Sequence, residues 1–232
     1  MQIQRNTAFN RIHVPPRLWG TAPGTDFWLI PSGEITTAGA TGDLLSDNGW
    51  VTTSLVETAG SAADFLSSAD TGVPTHLLTN ASGDLLQSPS VFGTYDHGQV
   101  AAAILGYSPT TLNVEFWGAM TVHTADEANS GFGWVEAGGS PANTADAMAM
   151  INTDGTNFRI SSGAASDLGA ADDALWHQFK IVSTFGGTHE WFIDGTSQGT
   201  LAIQADLYPV SFGFHALTTN RPALGSVHIW YA

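Results

Sequence analysis

Apolar and polar residues alternate with a period of two through most of the C-terminal half, and that period predicts strands. The clearest run is 111–120, TLNVEFWGAM. Leu112, Val114, Phe116 and Met120 share one face, and Asn113, Glu115 and Trp117 share the other. Residues 147–151 and 157–161 are two further strands, joined by Asn152-Thr153-Asp154-Gly155-Thr156. The Asp-Gly step supplies the positive φ that a hairpin turn requires. Residues 176–184 place Phe179 and Ile181 on one face and Trp176, Lys180 and Val182 on the other. After Gly186-Gly187 come strands at 188–193, 200–204, 210–215 and 226–231, with a turn at Asp194-Gly195. Before residue 109 the pattern thins. Strands are expected at 26–30, 48–56, 74–80 and 98–105, and one or two helical turns at 62–68. Closely spaced strands with no long helix between them predict an all-β, antiparallel β-sandwich.

Residues 1–26 stand apart from this pattern. Pro15-Pro16 and Pro23-Gly24 break regular structure there. Arg5, Arg11 and Arg17 lie in this segment, and no acid precedes Asp26, so residues 1–25 are formally +3. The rest of the chain is formally −18, and the whole is −15. The segment is read as an extended N-terminal arm, and residues 27–232 as a single sandwich domain. A basic arm seeks an acidic surface: either its own domain or a neighbouring subunit. Ile12, Val14, Leu18 and Trp19 would be its apolar anchors, beside Arg5, Arg11 and Arg17.

Composition narrows the function. Charged residues make up 12% of the 232, against about a quarter in ordinary domains. Eight Trp and 12 Phe exclude a disordered chain. The absence of cysteine excludes a disulfide scaffold. Six Lys and Arg cannot build a nucleic-acid surface. No leader-like apolar run opens the chain and no stretch is long enough for a membrane span. A protein made in a host cytoplasm, binding neither nucleic acid nor membrane, is therefore expected.

Three segments carry a resemblance. LNVEFWGAM at 112–120 is similar to a strand of the laminin-G-like, concanavalin A-like jelly rolls. ALWHQFKIVSTFGGTHEWFIDGTSQGTL at 174–201 is similar to that family's strand–turn–strand unit ending in Asp-Gly. GSVHIWYA at 225–232 is similar to its returning last strand. The resemblance covers about 110–232 and implies two stacked antiparallel sheets. It leaves function open, because the fold hosts lectins, glycosidases, adhesion modules and virion proteins. The organisation of the chain also resembles tailed-phage capsid decoration proteins.

Glycoside hydrolysis needs two carboxylates flanking the scissile bond. Glu115, Glu136 and Glu190 lie on or near strands, but no Glu-x-Asp-x-x-Glu run is present. Gly195-Thr196-Ser197-Gln198-Gly199 matches a nucleophile elbow, yet a strand follows it rather than a helix; it reads as a hairpin loop. The eight histidines show no metal spacing. They are expected as packed or hydrogen-bonded neutral imidazoles, with His177 structural as the resemblance to laminin-G relatives implies. Calcium stays open as a ligand for Asp172-Asp173, Asp154 with Asn152, or Asp194. Trp117, Trp191 and Trp230 read as core. Trp134, in the Gly-rich stretch SGFGWVEAGGS, lies like them on a strand or strand edge but is the most loop-like of the four and the candidate for a glycan contact.

The expected protein is therefore a non-catalytic virion structural protein, a capsid decoration or minor capsid subunit. It would bind neighbouring subunits, its own copies among them, through the arm and the sandwich edges, without a cofactor. The alternatives are a lectin-like glycan-binding module and a glycoside hydrolase.

Overall fold

A computed structural model gives the fold. It describes residues 109–123, 130–136, 140, 146–162, 165–202, 210–215 and 220–232, and before residue 109 only six short strands. In chain order the described strands are β1 (Ile12–His13), β2 (Asp26–Leu29), β3 (Val51–Thr53), β4 (Val56–Thr58), β5 (His76–Leu78) and β6 (Leu85–Gln87). Then come β7 (Thr111–His123), β8 (Gly131–Glu136), β9 (Ala147–Thr153), β10 (Asn157–Ser162) and β11 (Ala165–Ala171). The last five are β12 (His177–Thr184), β13 (Thr188–Ile193), β14 (Thr196–Ala202), β15 (Val210–His215) and β16 (Asn220–Tyr231).

They form two antiparallel sheets packed as a jelly-roll sandwich. The larger sheet runs β1-β2-β16-β7-β12-β13-β14, with β5 also on β16 and β4 on β5. The smaller runs β11-β10-β9-β8-β15-β6-β3. Side chains alternate across the larger sheet as the sequence pattern requires. Leu112, Val114 and Phe116 of β7, Phe179 and Ile181 of β12, and Val227 and Ile229 of β16 turn inward and are buried.

The centre of the core is aromatic. The Phe116 ring lies 4.9 Å from Phe132 and 5.4 Å from both Phe179 and Phe212, centroid to centroid. Phe158 meets Phe179 edge-on at 5.1 Å. Each such side chain contributes about 1.5–3 kcal/mol by leaving water. These rings come from both sheets, so they hold the sandwich together rather than either sheet alone.

Several expectations are corrected by the smaller sheet. Gly131–Glu136, loop-like in sequence, is a strand, and nearly all of it is buried on both faces, as β9 is. A strand covered on both sides has no polar face to show alternation. β11 and β6 lie where the sequence pattern predicts no strand. β14 starts at Thr196, so the supposed loop around Ser197 lies within a strand that carries a bulge near Phe192. The expected single strand over 48–56 is two: β3 joins the smaller sheet and β4 the larger. The segments 62–68 and 98–105 fall outside the described residues. Of the expected arm, Ile12 and His13 pair with Leu29 and Trp28 of the chain's own β2. Arg5, Arg11, Val14, Arg17, Leu18 and Trp19 fall outside the described residues. Among the described residues, no helix is long and apolar enough to cross a membrane.

Candidate functional site

The outward face of the larger sheet gathers the residues that carry chemistry. Register sets them in rows across β16, β7, β12 and β13. One row is His228, Glu115, Lys180 and Phe192. The next is Trp230, Asn113, Val182 and Glu190. A third is Ser226, Trp117 and Gln178. Directly opposed side chains in such rows have Cβ atoms about 5 Å apart, close enough to act on one ligand.

The rings make a partly open platform. Trp117 is 37% exposed, and Trp230, His228 and Phe192 are half-buried. His228 stacks on Trp230 at 4.3 Å between ring centroids. The Lys180 ammonium lies 5.5 Å from the Trp230 ring centroid and 5.8 Å from that of Phe192. Gly225 lets Trp117 and Trp176 come together, since a Cβ there would stand 3.1 Å from Trp117 and 3.3 Å from Trp176.

Polar groups stand between the rings. Gln178 Nε2 donates to Glu115 Oε1 at 2.7 Å. Ser197 Oγ donates to Glu190 Oε1 at 2.8 Å. Asn113 Nδ2 donates to Thr111 Oγ1 at 3.0 Å. A carboxylate flanked by an ammonium and an imidazole can hold or move a proton. Glu115 and Glu190 are two strands apart, about 10 Å or more by strand spacing. That lies at the far limit for a pair acting on one glycosidic bond. Glu136 belongs to the other sheet.

The other candidates fall elsewhere. Trp134 is 1% exposed in the middle of the core, so the expected glycan contact is corrected. It faces inward because β8 packs its large side chains against the larger sheet. Trp191 is core, as expected, whereas Trp117 and Trp230 face outward. Ser197 meets a carboxylate and no imidazole, so it has no general base of the expected kind.

His177 is held between two carboxylates. Its Nδ1 lies 2.6 Å from Asp194 Oδ2 and its Nε2 2.9 Å from Asp173 Oδ1. Burial alone would lower its pKa, but the Asp194 and Asp173 carboxylates outweigh burial and raise it. With both nitrogens occupied the ring serves as a latch, in keeping with a structural role. His189 is the opposite case. It is buried, with Nδ1 2.7 Å from Ser183 Oγ, and burial lowers its pKa to about 4.

The carboxylates that could hold calcium have local partners. Asp154 Oδ1 accepts from the backbone N–H groups of Thr156 and Asn157. Asp172 and Asp173 accept from Ala174 and Leu175. Asp173 and Asp194 also hold His177. Among the described residues, no group of three or more His, Asp or Glu is placed to hold a metal ion.

No protein-family model matches the sequence, and no curated protein is similar enough to count as a relative. Solved structures of similar shape do exist. One is a carbohydrate esterase from the Shiga toxin-encoding bacteriophage phi24B, at 12% identity over 84% of this chain and 95% of that one, with a TM-score of 0.47. Another is the alginate lyase from Corynebacterium sp., at 12% identity over 90% and 95%, with a TM-score of 0.46. A third is the ligand-binding domain of botulinum neurotoxin serotype D in complex with N-acetylneuraminic acid, at 10% identity and a TM-score of 0.45. It covers 75% of this chain, which spans 42% of that one. The expectation of a non-catalytic protein is corrected by this company: the structures it resembles include enzymes as well as a binding domain. At such identity the likeness concerns the fold and leaves the activity open.

Proposed function

We propose that this chain is a glycan-binding β-sandwich whose ligand lies on the outward face of the larger sheet. The observation that carries the reading is the platform itself. Trp117, Trp230 with His228, and Phe192 surround Glu115, Gln178 and Lys180 on one open face. Aromatic faces take the C–H side of a sugar ring, and amide and carboxylate groups take its hydroxyls. A carboxylate, an ammonium and an imidazole in one row also leave room for turnover of the bound glycan.

The test is a glycan array with the wild-type chain, Trp117→Ala and Trp230→Ala. Each substitution is expected to weaken binding about tenfold. Bound glycans are then followed for new reducing ends or released acyl groups, with Glu115→Gln as the control. Empty arrays for the wild-type chain, or binding indifferent to both substitutions, would sink the reading.

A second reading, an assembly subunit of a virion, draws on two features. One is the split between residues 1–25, formally +3, and the rest of the chain, formally −18. The other is the exposure of Leu168 on the end strand of the smaller sheet, at 54%. Light scattering on the full chain and on one lacking residues 1–20 tests it. The reading expects a multimer that the truncation dissolves, and a monomer in both cases counts against it.

A further inference from the structure

Resting on the platform reading, we infer that its ligand is a neutral, hydroxyl-rich hexose glycan rather than an acidic one. The inventory of charge on this face carries the argument. Glu115 and Glu190 each hold one polar neighbour on Oε1, from Gln178 and Ser197. Each carboxylate has a second oxygen that can accept a hydrogen bond from a hydroxyl. Against these two anions, the cation among the described side chains of the face is Lys180. It is the only lysine of the chain.

That ammonium is poorly placed to capture a sugar carboxylate. It lies over the Trp230 and Phe192 rings, and Glu115 stands opposite it in register. Carboxylates are recognised best by guanidinium forks that make two parallel bonds. Arg159 is buried in the smaller sheet, where its Nε donates to Asn152 Oδ1 at 2.8 Å. The formal charge of −15 adds a field that repels a polyanion before it lands. A neutral pyranose meets no such penalty. Its C–H face covers Trp230 or Trp117, and its hydroxyls donate to Glu115 and Glu190 and accept from Gln178.

The experiment titrates the full chain with two sets of oligosaccharides at low and high salt. One set is neutral: cello-, manno- and galacto-oligosaccharides. The other is acidic: oligouronates and a sialylated trisaccharide. The expected result is binding of a neutral member with no more than about a twofold change between the two salts, since no ion pair is screened. Glu115→Gln is expected to weaken it about tenfold, by loss of a charge-assisted acceptor, and Lys180→Met to leave the preference for neutral over acidic members in place. Thermal melts confirm that both variants fold. Binding of acidic members alone, strengthened at low salt and abolished by Lys180→Met, overturns the inference and leaves the platform standing. Binding of neither set overturns both.

Discussion

Two histidines with opposite surroundings set the pH profile of stability. His177 has its folded pKa raised by Asp194 and Asp173, burial opposing. Its contribution is therefore complete below the unfolded value of about 6.5 and is lost as pH rises through the folded one. His189 is depressed to about 4 by burial. Below about 6.5 the unfolded chain takes a proton that the folded one refuses, so stability falls from there towards pH 4, by about 3 kcal/mol. Asp173 adds a later loss. Burial would raise its pKa, but the His177 bond and the Leu175 N–H lower it, so its share goes as pH drops below the usual carboxylate range. Thermal melts across pH should peak near 6.5. Ser183→Ala with His189→Leu should flatten the acid limb alone. His177→Asn should flatten the alkaline limb and cost about 1–2 kcal/mol, a modest figure because both carboxylates are half-exposed to solvent.

Turns and edges decide the elements. The β13–β14 hairpin turns on Asp194 and Gly195, with φ of 50° and 76°. Asp tolerates that region and Gly prefers it. Asp194 also accepts from the Gln178 N–H at 2.9 Å, so one side chain ties the hairpin to β12. At this same edge of the sandwich β11 comes close to β14, and the Ala170 N–H donates to Gln198 Oε1 at 2.8 Å. A Cβ at Gly169 would run into the Trp191 ring. Gly169→Ala should cost about 1–3 kcal/mol in a denaturant melt, and a neutral result would mean the two edges are not packed there. The same closeness explains what the pattern of residues could not announce. β11, ASDLGAA, is built of small residues to fit beside Trp191, and so lacks the alternation that marked β7, β12 and β13. β8 hid for the converse reason, being buried on both faces. Alternation alone places Glu115 and Lys180 on the right faces, whereas Trp117, read as core for its size, faces outward. Their meeting with His228 and Trp230 was not legible, because the pairing of β7 with β16 joins positions distant in the chain and no local signal specifies it.

Over the whole molecule, charge is the governing quantity. A formal −15 with an isoelectric point of about 4.5 means self-repulsion at neutral pH. Moderate salt should therefore raise the melting temperature, as screening shortens the reach of each charge to about 8 Å at physiological ionic strength. A melting temperature that falls with added salt would show that attractive pairs, not repulsion, dominate. The same scarcity of cations gives Lys180 a use unrelated to what it binds. As the only lysine, in the middle of the platform, it makes amine chemistry site-specific. Apart from the chain's amino terminus, an amine-reactive dye can attach only there. Labelled in that way, the protein would report on its own face: an occupant would shield the amine from the reagent, or quench a dye already in place.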